Sequence, residues 1–159
     1  KKKKMYPNIP MLWSSMKDSL FQMLNPRGVG LKYGPLTIER QALGLPNGMH
    51  LKYPGLYYSA GNFMYKTDRS VIRTHGPRVT ENVVQALSRL VITDQMLDIQ
   101  TLPQVDIVLQ VHDEIIAIGS EHNADVTMDR IIQIMRTPPE WCSDLPLDAE
   151  GGVSKVYDK

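Results

Sequence analysis

A single cysteine, Cys142, leaves no partner for an internal disulfide and no basis for a multi-cysteine zinc site, and it suits a reducing compartment. Long apolar runs are missing as well. Nothing approaches the roughly 20 consecutive residues of a membrane helix, so no membrane partner is expected. Lys1–Lys4 imitates the charged start of an export signal, but Pro7 and Pro10 interrupt the adjoining stretch and no apolar segment succeeds it. A cytoplasmic location is therefore expected. There is no internal repeat, and no low-complexity segment beyond the four lysines. The first residue is not Met, and the chain is expected to be a piece of something longer.

An excess of one charge is also absent from the total, which is +1 at pH 7 over 159 residues. That balance hides two opposite halves. Residues 1–80 hold 13 basic and three acidic side chains, a balance of +10, whereas residues 81–159 hold five and 14, a balance of −9. Such polarity suggests a polyanion on one side and cations on the other. With 42% hydrophobic and 22% charged residues, the chain has the composition of one ordinary soluble domain.

Ile9, Leu12, Trp13, Met16 and Leu20 recur at helical spacing and predict a helix over residues 9–24, ending before Asn25-Pro26-Arg27-Gly28. From Leu36 to Thr74, short segments (Leu36–Leu43, Met49–Tyr53, Tyr57-Tyr58, Met64–Lys66, Ser70–Arg73) alternate with turn residues. They predict a small antiparallel β element in which Asn47-Gly48 makes a two-residue hairpin. Thr80 reads as the N-cap of a long helix over about 80–98, striped with Val83, Val84, Leu87, Leu90, Val91 and Leu97. Val105–Val111 and Ile115–Ile118 read as strands around a polar turn, His112-Asp113-Glu114. A third helix over about 123–136 carries Ala124, Met128, Ile131, Ile132 and Met135 on one side; Leu145-Pro146-Leu147 and Val153–Tyr157 read as edge strands. The fold class is α+β.

The stretch Leu109-Gln110-Val111-His112-Asp113-Glu114-Ile115-Ile116 sets two carboxylates and a histidine between apolar strands. An acidic strand tip offers oxygen to Mg²⁺, a hard cation that keeps several waters for substrate phosphates. Two such ions, about 3.5–4 Å apart, serve phosphoryl transfer, and their site draws carboxylates from more than one segment. The same residues suit a plain solvated turn. A third reading, the His-Asp pair of a metal-dependent phosphohydrolase, finds no support around His50, His75 or His122.

Asn82, Gln85 and Arg89 share one face of the long helix, opposite its apolar stripe. Amide and guanidinium donors match the minor-groove acceptors, which are nearly independent of base sequence; an ordinary solvated face has the same pattern. Arg27, Lys32, Arg40, Lys52, Lys66, Arg69, Arg73 and Arg78 are interleaved with Tyr33, Tyr53, Tyr57, Tyr58 and Tyr65, a mixture suited to phosphate-backbone contact and equally common on hairpins.

Together these stretches resemble the family A (DNA polymerase I-like) DNA polymerases, and phage replicative members above all. Val111-His112-Asp113-Glu114 resembles the palm's motif C. Thr80-Glu81-Asn82-Val83-Val84-Gln85-Ala86-Leu87 is similar to the palm helix just upstream, and Tyr6-Pro7-Asn8-Ile9 to the segment that opens the helix after the fingers. Leu45-Pro46-Asn47-Gly48 with Leu51-Lys52-Tyr53-Pro54 is similar to a phage-type hairpin, and the run from Leu145 to Gly151 to the final palm strand. Nothing resembles motif A, the fingers motif, the exonuclease or the thumb, and the loop from Gly28 to Pro35 matches no family motif.

The resemblance implies a C-terminal palm portion: residues 1–30 as part of the helix following the fingers, and 31–159 as an antiparallel sheet with a motif C hairpin packed against long helices. Asp113 would bind catalytic Mg²⁺ with Glu114 in support and His112 near the primer terminus, while Asn82, Gln85, Arg89 and Arg78 would contact DNA. The second aspartate of the two-metal site is not in this chain. Implied partners are primer-template DNA, a dNTP and the missing N-terminal part of the polymerase, in the host cytoplasm if phage-encoded. The alternative is a non-enzymatic duplex-binding or assembly module.

Overall fold

The computed structural model describes residues 6–157; Lys1–Lys4, with their signal-like charge, lie outside them. The chain is α+β and divides into two compact units, residues 1–87 and 88–159. The division nearly coincides with the change of charge: the first unit holds 13 basic and four acidic residues, the second five and 13.

In the first unit, helix α1 (Asn8–Leu24) forms where the apolar spacing places it, with Pro7 and Pro10 tolerated at its start. Its inner face buries Met16, Ser19, Leu20 and Met23 and packs on the second strand of an antiparallel sheet, β1 (Lys32–Tyr33), β2 (Leu36–Glu39), β3 (Ala42–Gly44) and β4 (His50–Lys52). Ile38 and Leu43 pair across β2 and β3 and are fully buried. A second sheet follows, β5 (Tyr57–Ser59), β6 (Asn62–Lys66) and β7 (Val71–Thr74), with Phe63 buried and in ring contact with Phe21 and Tyr58.

Three expectations for this unit are corrected. The single segment Leu36–Leu43 is a hairpin, because Gln41 takes φ +57° and turns the chain back. The Asn47-Gly48 hairpin has a three-residue loop: Gly48 N–H bonds Leu45 O at 3.0 Å around Pro46-Asn47, and Gly48 itself takes φ +82°. Pro46 presets the first turn position, and the glycine supplies the left-handed one. The loop from Gly28 to Pro35, without a motif, carries β1.

Helix α2 (Gly76–Gln100) runs from the first unit into the second and starts four residues before the expected Thr80 cap. Thr80 is interior, its hydroxyl donating to Gly76 O at 3.0 Å; the capping acceptor is His75 Nδ1, which takes Arg78 N–H at 3.3 Å, with Pro77 in the first turn. Val79, Val83, Leu90, Val91 and Ile99 are its buried apolar side chains, whereas Val84 and Leu97, expected on that stripe, are 52% and 64% exposed.

The second unit pairs β8 (Val105–Val111) with β9 (Glu114–Gly119), followed by helix α3 (Ala124–Arg136). Gln95, buried on α2, donates from Nε2 to Met135 O at 2.8 Å. The inward side of α3 is half-buried throughout, and Val108, Leu109, Ile118 and Val126 are exposed, so this unit has a thin core. The expected edge strands at residues 145–147 and 153–157 are not formed. Pro146 has no N–H to give to a ladder.

Candidate functional site

The β8–β9 hairpin closes through a two-residue turn, His112 and Asp113, since Val111 pairs directly with Glu114. His112 takes φ +54°, an uncommon state for a side-chain-bearing residue and one that polar residues enter most readily. The turn exposes His112 and Asp113, while Glu114 is half-buried as the first residue of β9. A register shift at Val108 breaks the strand alternation before the turn is reached.

Gln110 braces this turn. Its Nε2 donates to His112 O, and its Oε1 accepts from Arg89 Nη1 on α2, so one amide connects the helix to the backbone of the left-handed residue. Arg89, expected as a DNA contact, is exposed but held to the hairpin. In the sequence Gln110 is marked only as a lone amide inside an apolar strand, two residues before His112.

The other expected DNA contacts lie in the first unit. Gln85 and Arg78 are exposed. Asn82 is half-buried and donates from Nδ2 to the Tyr53 hydroxyl at 3.3 Å, so that amide is partly engaged within the protein. Tyr53 is a core residue at 2% exposure, its ring edge-on to Tyr65 at 5.4 Å, which removes it from the surface tyrosines. All eight basic residues interleaved with those tyrosines, from Arg27 to Arg78, are exposed.

Burial pushes the Tyr53 phenol above its ordinary value of 10.0; the Asn82 hydrogen bond opposes this and neighbouring Tyr65 adds to it. The folded state thus holds the phenolic proton more tightly than the unfolded chain. The resulting stability is fully present below pH 10 and is lost as pH rises through the folded value. Tyr53→Phe is expected to cost about 1 kcal/mol near neutrality, from the orphaned Asn82 amide, and to flatten the alkaline loss. Urea midpoints of both proteins at about pH 8 and about pH 11 would check this.

Asp113 and Glu114 are hard oxygen donors of the kind Mg²⁺ prefers. Among the described residues no group of three His, Cys, Asp or Glu is placed to hold a metal ion. Cys142 is no nucleophile candidate: desolvation, with Asp144 beside it, raises its thiol pKa. No helix among the described residues is long and apolar enough to cross a membrane.

A DNA polymerase of Bacillus phage SP02 is 36% identical to this chain over 90 residues. The chain is related to a phage DNA polymerase. The match takes in 55% of this chain and 13% of that polymerase, so the chain spans a small part of the relative's length. No protein-family model matches the chain, and no solved structure matches it.

Proposed function

We propose that this chain forms the C-terminal palm portion of a family A DNA polymerase and serves template-directed DNA synthesis by two-metal nucleotidyl transfer during replication. The observation that carries the reading is the β8–β9 turn, which exposes Asp113 at a strand tip within the four residues that resemble motif C. The similarity to a phage DNA polymerase over 90 residues also supports it.

In this reading Asp113 is the metal-binding carboxylate, Glu114 supports it, and His112 lies near the primer terminus. Mg²⁺, when bound, would lower the pKa of the primer 3′-hydroxyl and neutralise charge on the dNTP triphosphate. Gln85, Arg89 and Arg78, with what remains of the Asn82 amide, contact primer-template DNA, Arg89 doing so while fastened to the turn. The second metal aspartate and the fingers come from polypeptide outside this chain. The test is reconstitution: adding the upstream polypeptide of a phage polymerase to this chain should give Mg²⁺-dependent primer extension that neither piece shows. Extension that does not depend on this chain would overturn the assignment.

The exposed cations of the first unit favour a second reading, a duplex-binding module without catalysis. Under it, log K for duplex DNA falls steeply with log salt, and the upstream polypeptide restores nothing.

A further inference from the structure

At the start of α2, in the first unit, lies a cleft of about 360 Å³ that the polymerase reading does not use. Its walls include Lys17 of α1, Asn62 of β6, Arg73 and Thr74 of β7, and His75 and Gly76 at the helix start; no carboxylate lines it. Thr74 is 1% exposed, and its Oγ1 has no hydrogen-bond partner among the described residues. A buried hydroxyl without a partner is uncommon, because the water it gave up has not been replaced.

The surroundings of that hydroxyl are rich in cationic and donor groups. A 25-residue helix begins here, and its first-turn N–H groups and dipole place partial positive charge at the opening. Pro77 has no N–H and Arg78 N–H is taken by His75 Nδ1, which leaves Gly76 as the first-turn donor without an intrahelical acceptor. With Nδ1 accepting, the His75 ring proton sits on Nε2, a further donor. Lys17 stands beside the helix start, its Cβ 3.2 Å from where a Cβ on Gly76 would lie. Arg73 adds a planar guanidinium suited to two oxygens of one anion.

We propose that this cleft binds a phosphoryl group, with Lys17 and Arg73 supplying charge and the Thr74 hydroxyl and Gly76 N–H supplying hydrogen bonds. The inference goes beyond the polymerase reading and does not rest on it. The phosphoryl group belongs either to a nucleic-acid backbone or to a free phosphoanion. Calorimetric titration of the full chain with inorganic pyrophosphate, and separately with a short DNA duplex, tests the site and separates the sources.

Thr74→Val keeps the shape and removes the hydroxyl; it should weaken binding about tenfold, and Thr74→Ser should restore it. The exposed double variant Lys17→Gln/Arg73→Gln should weaken binding by at least as much, and decides the matter if Thr74→Val does not fold. Weakening toward both titrants assigns the site to a nucleic-acid phosphate; weakening toward pyrophosphate alone assigns it to a free phosphoanion. Affinities unchanged in the double variant, or absence of pyrophosphate and duplex binding by the parent chain, overturn the proposal.

Discussion

Asp113→Asn, in a polymerase chain containing this segment, is expected to reduce primer extension by more than about 100-fold while leaving duplex affinity within about twofold. The substitution keeps the size of the side chain and removes the negative charge that a hard cation requires. Asp113 is exposed in a two-residue turn and belongs to no described hydrophobic core, so the fold should tolerate the change. Glu114→Gln should cost less, because Glu114 is half-buried at the start of β9 and its role in the reading is support. Single-turnover nucleotide incorporation measured beside filter binding separates chemistry from affinity. Incorporation retained in Asp113→Asn would sink the assignment of this turn, and equal loss of incorporation and binding would recast Asp113 as a structural residue.

Gly76→Ala is expected to destabilise the first unit by about 2 kcal/mol, against the direction that helix propensity predicts. Alanine in a helix is favoured over glycine by up to about 1 kcal/mol. At Gly76, however, a Cβ would fall 2.0 Å from the Trp13 carbonyl oxygen, so α1 and the start of α2 would have to separate. Forced overpacking of this kind costs about 1–3 kcal/mol, more where the obstacle is backbone that cannot rotate away. Gly48, with φ +82° and nothing near its missing Cβ, offers a contrast: Ala there meets only backbone strain of about 1 kcal/mol. Urea denaturation of both variants would show the ranking, and a Gly76→Ala protein as stable as the parent would contradict the close helix approach.

Elements whose pattern is local were legible in advance. The stripe on α1 depends on 3.6-residue periodicity alone, and the helix begins and ends within a residue of the expected bounds. The strand pair around Asp113 was legible for the same reason: two aliphatic runs flank a polar turn short enough to force antiparallel pairing. Other features were not local. Gln41 makes a left-handed turn without glycine, so Leu36–Leu43 looked continuous. The cap of α2 comes from a histidine ring, which lies outside the usual Ser, Thr, Asp and Asn signals.

Within the candidate site the same distinction holds. Asp113, Glu114 and His112 are candidates by residue type and adjacency, and the turn of His112 and Asp113 with Glu114 opening the next strand follows from the sequence. The brace from Arg89 through Gln110 to the His112 carbonyl depends on the Arg89–Gln110 contact, 21 residues apart, and no spacing rule reports it. Asn82 matched an exposed helix face by period, yet its amide turns to Tyr53, 29 residues away.

By itself the sequence determined the α+β class, the opposed charges of the two halves, the acidic turn between two strands and the likeness to a DNA polymerase, because each rests on residue type, short-range spacing or order along the chain. Only the tertiary structure decided which of those side chains are available. Tyr53 moved from surface to core, Arg89 became tied to the hairpin, and Thr74, an ordinary residue at the end of a strand, became a buried hydroxyl without a partner in a cationic cleft. Burial and pairing are set by what other segments bring to the same place, and a linear pattern carries no record of it.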